Sequence, residues 1–153
     1  MAMTDILYSQ GGSLITVGDS AYATADVDSI TMVRTITVDF KDNKATVNLN
    51  NAPGVTYTAE GGHVVINNTN ATEEMEFVLS GTSNDASLTY NGVYKCKFHL
   101  NNLNLTSTKG AALDIQCGKR IDVFLMDGTT NSLTDCAGGL QKAAFYCKGH
   151  MEV

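Results

Sequence analysis

The chain of 153 residues holds one proline and no tryptophan. It has no apolar run longer than a handful of residues, as at Val64–Ile66, and no such run spans a bilayer as a helix. No window sustains a 3.6-residue apolar period, so amphipathic helices are not expected. Positive charge is also scarce, and a net charge of −6 argues against a general nucleic-acid binder. The four cysteines, Cys96, Cys117, Cys136 and Cys147, form no CxxC and no Cys/His spacing of zinc type. They read as small apolar core residues. A basic-then-apolar N-terminal segment is missing, so any signal peptide is expected to be absent from this sequence.

What the chain does have is 18 Thr, 13 Asn and 14 Gly, with 43% hydrophobic residues. Thr and Val suit strands, and Asn and Gly suit turns, so the expectation is all-β. The short apolar segments alternate with period two. Ser13–Val17 reads as a strand, and Ile30–Phe40 answered by Ala45–Leu49 across Asp42-Asn43 reads as a hairpin. From residue 55 onward, brief strands recur between Asn, Gly and Thr corners. Candidates run from Val55–Thr58 and His63–Ile66 to Lys95–Leu100, Leu103–Leu105, Ile121–Met126 and Phe145–Cys147.

Strands this short fit a solenoid, and self-similarity supports one. At an offset of 30, Cys117 meets Cys147, Ile121 meets Met151 and Asp122 meets Glu152. Phe98–Asn102 corresponds to Val123–Asp127. The predicted organisation is a β-strand lead-in or N-terminal cap at 1–50, followed by β-helix coils at 51–153. The last residues fall in a strand, so further coils are expected beyond them, or self-association through the open C-terminal coil.

Several stretches carry a resemblance. They are Phe77–Thr82, Phe98–Ser107, Gly110–Ile115 and Asp127–Asp135, continuing through Lys142 and Ala143 to Tyr146 and Lys148-Gly149. Here the sequence resembles the carbohydrate-binding-domain-containing proteins secreted by Bacteroidetes and clostridia, whose prototype binds cellulose and acidic sugars. Residues 26–32 look like the lead-in of such surface proteins. The resemblance implies a pectate-lyase-like, right-handed parallel β-helix, with calcium as a ligand of the family. It implies a secreted or cell-surface bacterial protein, and a chain that stops short of the family's full set of coils.

Charge divides unevenly: residues 91–153 carry seven Lys/Arg against five Asp/Glu, while residues 1–90 carry three against eleven. Lys95, Lys97, Lys119 and Arg120, with Tyr94 as a stacking ring, are therefore the candidate polysaccharide contacts, suited to acidic glycans. The alternative for each is an ordinary solvated or packing residue. Asp127 and Asp135 flank one Thr/Asn segment and are the candidate calcium ligands, or else turn-capping residues. His63, His99 and His150 are scattered, with no partnered nucleophile evident. Only Arg34 and Arg120 could serve a lyase, so no enzyme is expected. The expected function is non-catalytic polysaccharide binding, with a structural spacer or adhesin-like stalk as the alternative.

Overall fold

The computed structural model describes residues 34–153 throughout and, before them, only the backbone of three strands, β1 (Tyr8–Ser9), β2 (Gly12–Val17) and β3 (Ser20–Ala23). These three form an antiparallel sheet of their own. Contacts group Met1–Arg34 as one unit and Thr35–Val153 as a second. The expected lead-in motif at 26–32 lies outside the described residues, as do residues 30–33 of the expected first hairpin strand.

The second unit opens with that hairpin. In β4 (Thr35–Lys41), Ile36, Val38 and Phe40 are buried and the residues between them are not. Asp42 and Asn43 then take φ of 50° and 57°, the left-handed pair of a tight two-residue turn, and β5 (Lys44–Asn48) runs back antiparallel. A second hairpin joins β6 (Val55–Glu60) to β7 (Gly62–Asn68) through Gly61. The hairpin β4–β5 thus groups with the strands after it.

From β7 the chain alternates between two sheets. Strands β7, β9 (Ala86–Gly92), β11 (Leu113–Gln116) and β14 (Phe145–Cys147) pair parallel in a five-stranded sheet completed by β6. Strands β8 (Met75–Ser83), β10 (Cys96–Thr106), β12 (Ile121–Leu125) and β15 (Met151–Glu152) pair parallel in the other, completed by β4 and β5. A short strand, β13 (Ser132–Thr134), adds to the far end of β10. The chain is all-β, with no helix among the described residues. Both sheets are mixed rather than wholly parallel, because β5 and β6 run antiparallel to their neighbours.

The inner faces of the two sheets meet in one core. Phe77 and Phe98 stack within one sheet at 4.8 Å, and Tyr90 from the other meets both edge-on at 5.1 and 5.4 Å. The Tyr90 hydroxyl accepts from buried Asn68 at 3.1 Å, so the phenol brings no unsatisfied group inside. Cys96 and Cys117 are buried free thiols in this core, while Cys136 and Cys147 are half-buried.

The repeat read from the sequence is partly realised. Phe98 pairs with Val123 and Leu100 with Leu125, while Ile121 pairs with Met151 and Asp122 with Glu152. Cys147, however, pairs with Ile115 rather than Cys117. Lys95–Leu100 and Leu103–Leu105 were expected as separate strands, yet they form the single strand β10. Asn102, at φ 52°, bulges out as an extra residue, so Leu100 and Leu103 both point inward.

Candidate functional site

Tyr94, Lys95, Lys119 and Arg120 do come together. With Ala71 and Val93 they line one groove of about 500 Å³. Lys97 lies nearby on the outer face of β10. The expected cationic character is largely cancelled by carboxylates that sequence order does not place there. Lys95 Nζ is 3.5 Å from Glu74, and Lys97 Nζ lies 3.5 Å from Glu74 and 3.6 Å from Glu76. Arg120 bridges Asp122 at 2.8 Å and Glu152 at 2.6 Å. Among the described residues, Lys119 is the one cation of this groove without such a pair.

The outer face of the same sheet carries a ring pair, with Phe124 exposed and His99 half-buried. Phe124 stacks on His99 at 4.9 Å, 16° from parallel, and His99 Nε2 lies 3.5 Å from Glu76.

Asp127 and Asp135 are both exposed, at the two ends of the segment that carries β13. The turn after β12 is closed by Thr129, whose N–H and hydroxyl both donate to Met126 O. Calcium takes about six to eight oxygen ligands. Among the described residues, no three His, Cys, Asp or Glu side chains converge where they could hold a metal ion. The donor set at Asp127 and Asp135 does not fit calcium.

A different surface is more developed. The outer face of the five-stranded sheet carries a trough of mixed polar and apolar lining, about 410 Å³, to which Lys109–Ala111 and Leu140-Gln141 also contribute. Its floor is set by strand register. Thr58, Val65, Thr89, Asp114 and Tyr146 form one row across five strands, and Thr56, Asn67, Asn91 and Gln116 form the next. Within each row, neighbouring residues lie at the strand spacing of about 4.8 Å. Asn91 donates to Asn67 at 2.9 Å and Gln116 to Asp114 at 2.7 Å, which fixes these amides. At the upper end Lys109 pairs with Glu60 at 3.3 Å.

His63 belongs to this trough, and the structure corrects the expectation that it lacks a partnered nucleophile. Its ring lies between the Ser87 hydroxyl and the Asp85 carboxylate, 2.8 Å from each. Thr108 donates to the same Asp85 oxygen. That hydrogen bond, then the one from His63, holds the Asp85 carboxyl below its ordinary value. These residues are 22 to 24 positions apart and meet only because successive strands lie side by side. The alternation that sets Ser87 and Thr89 outward is visible in the sequence, whereas their neighbours are not.

The groove at Tyr94, all strands from β7 onward and the trough apart from its β6 edge at Thr58-Ala59 lie within residues 60–153, which match the family model described as carbohydrate-binding domain-containing protein. The chain belongs to that family. Among curated proteins and among solved structures nothing matches. Membership in a carbohydrate-binding family suggests a carbohydrate-binding module and a polysaccharide partner. No helix among the described residues is long and apolar enough to cross a membrane.

Proposed function

We propose that this protein binds a polysaccharide along the trough on the outer face of its five-stranded sheet, as a module of a secreted or cell-surface bacterial protein. The observation that carries this reading is the floor itself. Thr58, Thr89 and Asp114 line it in one row that ends at Tyr146 as a ring surface, and the amides of Asn67, Asn91 and Gln116, fixed by hydrogen bonds, stand in the adjoining row. Hydroxyl-rich ligands need pre-oriented donors and acceptors, and a rigid sheet supplies them with little ordering cost. Each hydrogen bond nets only about 0.5–1.5 kcal/mol, so affinity builds along an extended chain. Such binding makes and breaks no covalent bond.

The parallel pairing of alternate strands supports a β-helix, right-handed as crossover chirality requires, with β4–β5 covering its first coil. Exposed Leu125, Met151 and Val153 at the other end support self-association there.

Acidic glycans are a second reading, favoured by the gathering of Tyr94, Lys95, Lys119 and Arg120 in one groove. Paired carboxylates weaken it, so a neutral polysaccharide in the trough is the stronger of the two. Glycan-array screening followed by titration calorimetry separates them. Asp114→Ala should weaken trough binding about tenfold or more, with little dependence on salt. If Lys119→Ala and added salt abolish binding while Asp114→Ala leaves it intact, the groove is the site. A folded protein that binds no glycan leaves the stalk reading.

A further inference from the structure

Three segments converge at the upper end of the trough. His63 comes from the start of β7, Asp85 and Ser87 from the entry to β9, and Thr108 to Ala111 from the segment after β10. His63 Nε2 lies 2.8 Å from Asp85 Oδ1, and Nδ1 lies 2.8 Å from Ser87 Oγ. A carboxylate only accepts, so the ring proton sits on Nε2. That leaves the Nδ1 lone pair facing Ser87, whose hydroxyl donates to it. Asp85 is fixed in turn by the Thr108 hydroxyl and, at its own N–H, by Asn43 Oδ1 at 3.1 Å. The imidazole is 12% exposed and held at both ends, while Ser87 lines the open trough. A hydroxyl, a base and a group that orients the base stand within hydrogen-bond reach of one another.

We propose that Ser87, His63 and Asp85 form an ester-cleaving site acting on acyl esters of sugar hydroxyls. Ser87 Oγ attacks the ester carbonyl carbon while its proton passes to His63 Nδ1. The C–O bond to the sugar then breaks, and the sugar oxygen leaves with that proton, giving an acyl-serine. Water, losing a proton to Nδ1, attacks this acyl group, and Ser87 takes the proton back. The net change is ester plus water to carboxylic acid plus free sugar hydroxyl. Asp85 keeps the ring in the required tautomer and faces the positive charge it acquires. Ala112 O accepts from Leu88 N at 2.9 Å, so the chain at Gly110–Ala112 runs beside Ser87. The Gly110 and Ala111 peptides, which line the trough, are the donors for the developing oxyanion.

The test uses the full chain, checked as folded by circular dichroism. A fluorophosphonate probe should label one site, mapped by mass spectrometry to Ser87. Hydrolysis of 4-nitrophenyl acetate and acetate release from an O-acetylated xylan should fall about 100-fold or more in Ser87→Ala and His63→Ala. Asp85→Asn should lower kcat with little change in KM. Ser87→Ala removes a single oxygen, so it decides the matter if the histidine variant fails to fold. A folded wild type that is unlabelled and no more active than Ser87→Ala overturns the proposal. The binding reading is tested separately, by glycan titration of Ser87→Ala. Binding without hydrolysis sinks only the esterase, and hydrolysis of the small ester without glycan binding sinks only the polysaccharide module.

Discussion

The rings of Phe77 and Phe98 stack at 4.8 Å, 17° from parallel, on neighbouring strands of one sheet. Tyr90 closes on both from the opposite sheet, so these three rings tie the two sheets together. Phe98→Ala should cost about 4 kcal/mol, because a fully buried ring leaves a cavity that stacked strands cannot collapse into. Phe98→Leu should cost only about 1 kcal/mol. Denaturant unfolding followed by circular dichroism checks both, and equal losses would mean that the ring contacts contribute little.

Gly81 sits opposite Leu103 in the ladder with φ of 100°, and a Cβ there would lie 2.0 Å from Phe40 O. Both the backbone conformation and the close approach of β4 require glycine. Gly81→Ala should destabilise the protein by about 3 kcal/mol, seen as a lowered denaturation midpoint. Gly118 has open space around it, so Gly118→Ala should be nearly silent in the same assay.

Burial pushes the Cys96 thiol up to about 12 and raises Cys147 as well. Only the thiolate reacts with disulfide reagents. In the native protein Cys136 should react first and Cys147 more slowly, with Cys96 and Cys117 reacting only on unfolding. Timed labelling followed by peptide mass analysis reads the order directly.

The Thr108 hydrogen bond, then that of His63, holds Asp85 below 3.8. The sign follows from linkage. A depressed carboxyl contributes stability that is present above its unfolded value and lost as pH falls through the folded one. The Asp85 network should therefore stay intact at neutral pH and loosen only in acid below 3.8. Carboxyl carbon shifts measured against pH should show this midpoint, and Thr108→Val should raise it.

How much could be read beforehand depended on whether the information was local. The hairpin at Asp42-Asn43 was legible because alternation on either side and two turn-forming residues lie within one short stretch. The pairing of Phe98 with Val123 was legible because the same inward pattern recurs. Lys97 and Arg120 were read as candidate glycan contacts from a charge count, yet their partners Glu76 and Glu152 come from other coils, and a charge count cannot pair them. The meeting of His63, Asp85 and Ser87 was illegible for the same reason. Coil length varies, so no fixed spacing announces it. Cys147 falls opposite Ile115 because the chain between them does not keep the offset of 30 seen at Ile121 and Met151.

The bulge at Asn102 has an effect beyond strand β10. By stepping out of the ladder it leaves the Leu103 N–H to donate to Asn131 at 2.8 Å, while Asn102 Oδ1 receives the Thr130 N–H at 3.1 Å. The extra residue thus works as a docking address, read by a loop one coil later that then delivers β13 to the sheet edge. The loop between Met126 and Thr129 can change in length without misplacing that strand, provided that Thr130 and Asn131 still reach the address. A fold built from repeats of unequal length can keep its layers aligned by such marked exceptions, where uniform spacing would fail.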